Sequence, residues 1–244
     1  MDLAKLLQGL ENPNPDVRET ALEFLAEHLP INTITLVLPL LNDDDCEVRG
    51  TAAFCLGETE DVAVIPHLLR YITWEADESA RVYGIEALEG FSTPDIKNSL
   101  IQEAYRSQGR AMRVSVARQL GKYDEPQVIN VLLYLWQQTD DPHVGITIAD
   151  ALEQLNCSHL KAFWIGALET VFHPYICRVA LRALANLEGD SEKEIVNKMM
   201  CSLNSKTRQG ATFLLSLEET SENKQRLIEI SKADPDAQAQ SIAL

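Results

Sequence analysis

The apolar positions along the chain follow a helical rhythm that restarts every 31 or 32 residues. One pattern carries it. A capping residue is followed three positions on by Val, then directly by Arg, then by a small residue four after the Val and Leu eight after it. The cleanest copy is Asp45-Cys46-Glu47-Val48-Arg49-Gly50-Thr51-Ala52-Ala53-Phe54-Cys55-Leu56-Gly57. The Val column holds Val17, Val48, Ala80, Met112, Val144, Ile176 and Thr207. The Leu column holds Leu25, Leu56, Leu88, Leu120, Leu152, Leu184 and Leu215, without exception. Between them stand Ala21, Ala52, Gly84, Val116, Ile148, Ala180 and Ala211. Residues spaced by four share one helix face, so each copy predicts an amphipathic helix with a buried stripe.

The start of that helix is marked as well. Asn14, Asp45, Asp77, Gly109, Asp141, His173 and Asn204 precede the Val column by three. Asn and Asp there accept hydrogen bonds from free backbone N–H groups. Pro15, Pro142 and Pro174 stand at the first helical position, where a missing N–H costs nothing. Gly57, Gly121 and Gly189 are expected to end helices in left-handed turns.

A second apolar set precedes each copy, as in Leu3/Leu6/Leu7/Leu10, Ile34/Val37/Leu38/Leu41 and Val128/Val131/Leu132/Leu135. Its i, i+3, i+4, i+7 spacing is again helical. The unit is therefore a helix hairpin, repeated seven times, with a partial eighth restarting at Pro235-Asp236. One hairpin cannot bury its own face, whereas stacked hairpins build a continuous core. The expectation is an all-α protein, a right-handed α-solenoid in one domain spanning 1–244. Its repeats run 1–29, 30–60, 61–92, 93–124, 125–156, 157–188 and 189–219, with a partial one at 220–244.

Charge then narrows the function. Asp and Glu number 37 and Lys and Arg 21, giving a formal charge of −16. Nucleic acid and anionic membrane surfaces both call for clustered cations, so neither is an expected partner. The N-terminus has neither the basic nor the apolar region of a secretory signal. Five cysteines at 46, 55, 157, 177 and 201 include no C-x-x-C pair. They read as free thiols of a cytoplasmic protein, with Cys55, Cys177 and Cys201 packing inside helices.

Motifs for chemistry are missing. Phosphate-binding glycine loops, H-E-x-x-H and G-x-S-x-G do not occur. The five histidines fall in different repeats, and Cys157-Ser158-His159 has no second ligand pair nearby. The acidic run 42–47 lacks the spacing of a calcium loop and reads as a solvated turn ending in a helix cap. The expectation is no cofactor, no metal and no catalytic residue.

The Asp–x–x–Val–Arg–x–x–Ala–x–x–x–Leu–Gly signature and its period resemble HEAT repeats, and most closely the short subgroup of the phycobilisome lyases. The resemblance implies that the second helices line a concave face. It also implies a ladder joining Asp45, Asp77 and Asp141 to Arg49, Arg81 and Arg113, lapsing at Gly145 and Cys177. Two enzyme readings within such folds find no support. The His-Glu dipeptides of di-iron deoxyhypusine hydroxylases are missing, and the basic groove of the HEAT-like DNA glycosylases conflicts with the charge.

A partner would meet the outward side of the second helices. The column two after the small residue includes Phe54, Glu86, Arg118, Asp150, Arg182 and Phe213, and Tyr83 stands in the column just before the small residue. Phe54 and Tyr83 would form an aromatic spot, and Arg118, Asp150 and Arg182 a mixed-charge strip. Aromatic and Arg side chains are the usual binding anchors. Trp74, Trp136 and Trp164 fall on or after first helices and are expected to pack or face the convex side. The sequence thus points to a non-enzymatic scaffold or adaptor holding a basic protein in its groove. The alternatives are an immunity protein neutralising a basic toxin and, as the resemblance implies, a phycobilin lyase or chaperone-like lyase subunit.

Overall fold

The structure, a computed structural model, describes residues 3–30, 32–106, 109–155, 157–171 and 173–243. Met1, Asp2 and Leu244, at the ends of the expected domain, lie outside them, as do the side chains of Leu3, Ala4 and Ser158. The described residues form helices and turns with no strand.

The chain divides into two compact units, 1–137 and 138–244. The division falls between the two helices of the expected repeat 125–156. The first unit begins with α1 (Leu3–Leu10) and α2 (Pro15–His28), then α3 (Thr33–Val37) and α4 (Cys46–Glu58). It continues through α5 (Ile65–Trp74), α6 (Glu78–Glu86), α7 (Pro94–Arg106), α8 (Arg110–Leu120) and α9 (Pro126–Gln137). The second helices α2, α4, α6 and α8 pack side by side, with α1, α3, α5 and α7 against them. The second unit comprises α10 (Pro142–Leu155), α11 (Lys161–Thr170), α12 (Pro174–Glu188) and α13 (Glu192–Met200). It ends with α14 (Ser205–Ser216), α15 (Ser221–Ala233) and α16 (Ala237–Ile242). There α10 packs on α12, α12 on α14 and α14 on α16. Both units are α-solenoid stacks of short helical hairpins.

The core follows the sequence columns. All seven leucines of the Leu column are buried, none more than 5% exposed. In the Val column Val17 is 38% exposed, because α2 ends the row of second helices and no earlier one covers it. The first helix expected across Ile34–Leu41 is broken. It is α-helical only to Val37 and continues as a 3₁₀ turn over Leu38–Asn42, because Pro39 supplies no N–H to the α-helical ladder. Gly57 and Gly121 do not adopt the left-handed turn expected of them, whereas Gly189 does, with φ +70°. Gly57 serves close approach instead. A Cβ there would stand 2.6 Å from both Cα and the carbonyl oxygen of Ala87. Cys55 and Cys177 are buried as expected, but Cys201 is exposed, because it lies just past the end of α13.

The ladder between repeats is present with different partners. Asp45 caps α4, accepting from the N–H groups of Glu47 and Val48, and Asp77 caps α6 in the same way. Asp141 accepts from the N–H groups of His143 and Val144 at the start of α10. Each carboxylate is thus turned onto its own helix start. The acids that meet the arginines stand two residues before a cap and one repeat ahead. Arg18 grips Asp43 through Nε at 2.8 Å and Nη2 at 2.6 Å. Arg49 grips Glu75 at 2.5 and 2.9 Å, and Arg208 grips Asp234 at 3.0 and 3.2 Å. The Nη1 group of each donates to two carbonyls five and six residues earlier, such as Asp43 and Asp44 for Arg49. Each acid also accepts the N–H of the cap residue behind it. A planar fork gripping a carboxylate on both oxygens fixes the spacing of neighbouring repeats.

The rung varies where the sequence varies. Arg81 reaches Glu103 on α7 at 3.3 Å, in place of a turn residue. At Cys177 the thiol donates to the carbonyl of Val171, six residues back, at 3.0 Å. The position two before the cap is then Ser202, an uncharged residue, and after Gly145 it is Val171.

Candidate functional site

The second-helix face of the first unit gathers the aromatic and acidic positions. Tyr83 on α6 is 37% exposed and Phe54 on α4 is 39% exposed. Gly50 and Gly57 both face α6, since a Cβ on them would meet Tyr83 and Ala87 respectively. Phe54 lies between these two glycines on the same side of α4, so it stands one turn along from Tyr83.

Carboxylates surround this spot. Glu47, Glu19 and Glu86 act through their charges on the Tyr83 hydroxyl, whose pKa is raised by partial burial first and by these three after it. Glu19 accepts from Thr51 Oγ1 at 3.3 Å, and Glu86 accepts from Ser115 Oγ at 3.0 Å. Arg118 lies 4.0 Å from Glu86 and 3.8 Å from Glu89. Glu19 and Glu47 have no basic partner among the described residues. The face combines half-exposed rings with a local excess of negative charge.

The positions expected in the second unit behave differently. Arg182 is bonded to both oxygens of Glu153, at 2.5 and 2.6 Å. Asp150 accepts from the Tyr175 hydroxyl at 2.9 Å. Desolvation by its surroundings, with the Glu153 charge, holds the Asp150 carboxyl above its ordinary value against that bond. Phe213 is half-buried. The expected mixed-charge strip is thus largely satisfied within the chain.

Sequence reasoning missed three features. Glu19 and Glu47 escaped because neither lies in the two columns chosen for the face, although each is one helical step from them. The rung acids Asp43, Glu75 and Asp234 were also missed. Their signal is present in the sequence, since an acid stands two before the cap where the preceding repeat supplies Arg18, Arg49 or Arg208. Third, Trp74 is 72% exposed, with the Arg70 guanidinium 4.6 Å above its ring. It borders a groove of about 440 Å³ beside Leu38, Leu41, His67 and Tyr71. Trp164, by contrast, is buried.

No group of three or more metal-ligating side chains occurs among the described residues. No helix among them is long and apolar enough to cross a membrane.

Hairpins stacked through arginine–carboxylate rungs define a protein of the helical-repeat solenoid class. A family model described as HEAT repeats matches residues 3–89, and the chain is similar to HEAT proteins there. The helical hairpins continue beyond that match to residue 242. An uncharacterized phycocyanin operon protein Z of Pseudanabaena tenuis (strain PCC 7409) is 20% identical over 201 residues, 77% of this chain and 96% of that protein. The crystal structure of Kap121p bound to Pho4p has a similar fold, with a TM-score of 0.59 at 13% identity. That likeness covers 99% of this chain and 32% of Kap121p, so the chain spans about a third of its length.

Proposed function

We propose that the protein is a non-enzymatic scaffold or adaptor that holds a basic protein partner against its second helices, with the first unit as the main contact. The observation that carries this reading is the exposed pair Phe54 and Tyr83 set among Glu19, Glu47 and Glu86. Partly exposed aromatics supply contact area, and Glu19 and Glu47, without a basic partner among the described residues, supply attraction at a distance. The HEAT repeat and the fold shared with Kap121p support a protein-interaction role. The test is affinity capture of partners from the native cell by the wild-type chain and by the Phe54→Ala/Tyr83→Ala double variant. The double variant is expected to fold and to lose most of the captured partner. Equal capture by both chains removes this face from the proposal.

A second reading rests on the phycocyanin operon relative. In it the scaffold serves as a subunit in bilin attachment, holding a phycobiliprotein chain. Co-expression with a bilin and an apo-phycobiliprotein then yields bilin absorbance on the protein, and a colourless product removes the idea.

A further inference from the structure

Within the acidic face, one side chain is set apart by how it is packed. Tyr83 leans on α4 at Gly50, where a Cβ would stand 2.7 Å from the ring's Cδ2 and 3.3 Å from Cγ. The pairing is written in the sequence. Positions equivalent to Gly50 in the other repeats are Glu19, Val82, Val114, Ile146, Arg178 and Gln209. Positions equivalent to Tyr83 are Thr20, Thr51, Ser115, Thr147, Val179 and Gly210. The one glycine in the first column thus faces the one aromatic in the second.

A core-packing tyrosine looks different in this same protein. Tyr71 is 6% exposed, and its hydroxyl donates to the Ala80 carbonyl at 3.0 Å. Tyr83 is 37% exposed, and its hydroxyl has no hydrogen-bond partner among the described residues. The charges of Glu19 and Glu47 act on it, and neither carboxylate has an ion-pair partner among the described residues. An aromatic ring attracts a cation over its face, and flanking carboxylates add to that attraction.

We propose that Tyr83, seated on Gly50, is the docking point for an arginine side chain of the basic partner, whose guanidinium stacks on the ring and bonds Glu19 or Glu47. This rests on the reading of the second-helix face as the partner surface. Arginine fits better than lysine because a planar guanidinium stacks and can grip a carboxylate with two N–H groups, whereas an ammonium does neither.

The test uses the full chain and a fluorescein-labelled hexa-arginine peptide, with hexa-lysine as comparison, followed by anisotropy at about 0.1 M salt. Tyr83→Phe keeps the ring and is expected to bind within about twofold of wild type. Tyr83→Leu keeps bulk without the aromatic face and is expected to bind about fivefold more weakly. The Glu19→Gln/Glu47→Gln variant is expected to weaken binding to a similar or greater degree, and hexa-lysine to bind less tightly than hexa-arginine. Circular dichroism of each variant confirms that it is folded. Undiminished binding by Tyr83→Leu alongside weakened binding by the glutamine variant overturns the seat and leaves the acidic face standing. Equal affinity for the two peptides overturns the choice of arginine. Failure of the wild-type chain to bind either peptide removes both the seat and the basic-partner reading.

Discussion

The rung between Arg49 and Glu75 shows how much a single side chain holds. The Glu75 side chain is 3% exposed, and its carboxylate sits between the Arg49 fork and the Asp77 N–H. Removing Arg49 strands a buried negative charge. Arg49→Ala is expected to cost about 2–4 kcal/mol by urea denaturation, less than a fully buried pair because Arg49 is partly solvated. Arg49→Ala/Glu75→Gln should recover part of that loss, and a double variant no better than the single one would refute the stranded-charge account. Removing a helix cap is milder, and Asp45→Ala is expected to cost about 1 kcal/mol. The rungs also set the acid limb of stability. The Arg49 fork holds the Glu75 carboxyl below its ordinary value of 4.5, and the Arg208 fork holds Asp234 below 3.8. Burial pushes Asp43 up, but the Arg18 bond and the Asp45 N–H outweigh it and leave it lowered. Such groups contribute fully above their unfolded values, and the contribution is lost as pH falls through the folded ones. Stability should therefore fall below about pH 4.5, and less steeply in Glu75→Gln than in wild type. Parallel acid titrations of the two chains would contradict this.

Between elements, the decisive quantity is how closely helices approach. Gly57 brings α4 so near Ala87 that an added methyl would meet backbone atoms at 2.6 Å. Ala is the better helix former by about 1 kcal/mol. Gly57→Ala is nevertheless expected to destabilise by about 1–3 kcal/mol, because backbone cannot swing aside as a side chain can. Gly90→Ala, with nothing within 4 Å, serves as the control in the same thermal melt. This is also where the sequence stopped being legible. Helix existence and the buried leucine stripe followed directly from period and column. The close approach at Gly57 did not, because a glycine near a helix end suggests a left-handed cap equally well. The break at Pro39 was visible as a residue but was outvoted by the apolar rhythm around it. The ladder was expected with the cap aspartates, yet each of these is turned onto its own helix start, and the arginines grip acids two residues before a cap instead. At the candidate face, the aromatic positions were chosen from repeat columns. Of the carboxylates around them Glu86 was too, but Glu19 and Glu47 were not, since they are brought to the spot by packing α2, α4 and α6 side by side.

For the whole molecule, the net charge of −16 leaves a large surplus of carboxylates open to a partner. Arg18, Arg49, Arg81 and Arg208 are held in rungs, and Arg118, Arg182, Lys161, Lys193 and Lys198 pair with acids of the chain. Each such pair sets one base against one acid, so the surplus of acids over bases is the same with or without them. Association with a basic partner should therefore be fast at low salt and slow markedly as salt rises through physiological strength. Stopped-flow rates at three ionic strengths measure this, and a flat dependence would contradict electrostatic capture.

The rungs carry one more consequence, for how such a chain can be edited. Each arginine is answered by an acid encoded in the following hairpin, so no hairpin is a self-sufficient module. Excising 43–74 would bring Glu75 to the place of Asp43 and leave Arg18 answered. Grafting the Val171 turn after Arg49 would leave a guanidinium facing a hydrocarbon. Repeats in this protein form a sentence with agreement between neighbouring words. Duplication or shuffling keeps its sense only where that agreement survives the cut.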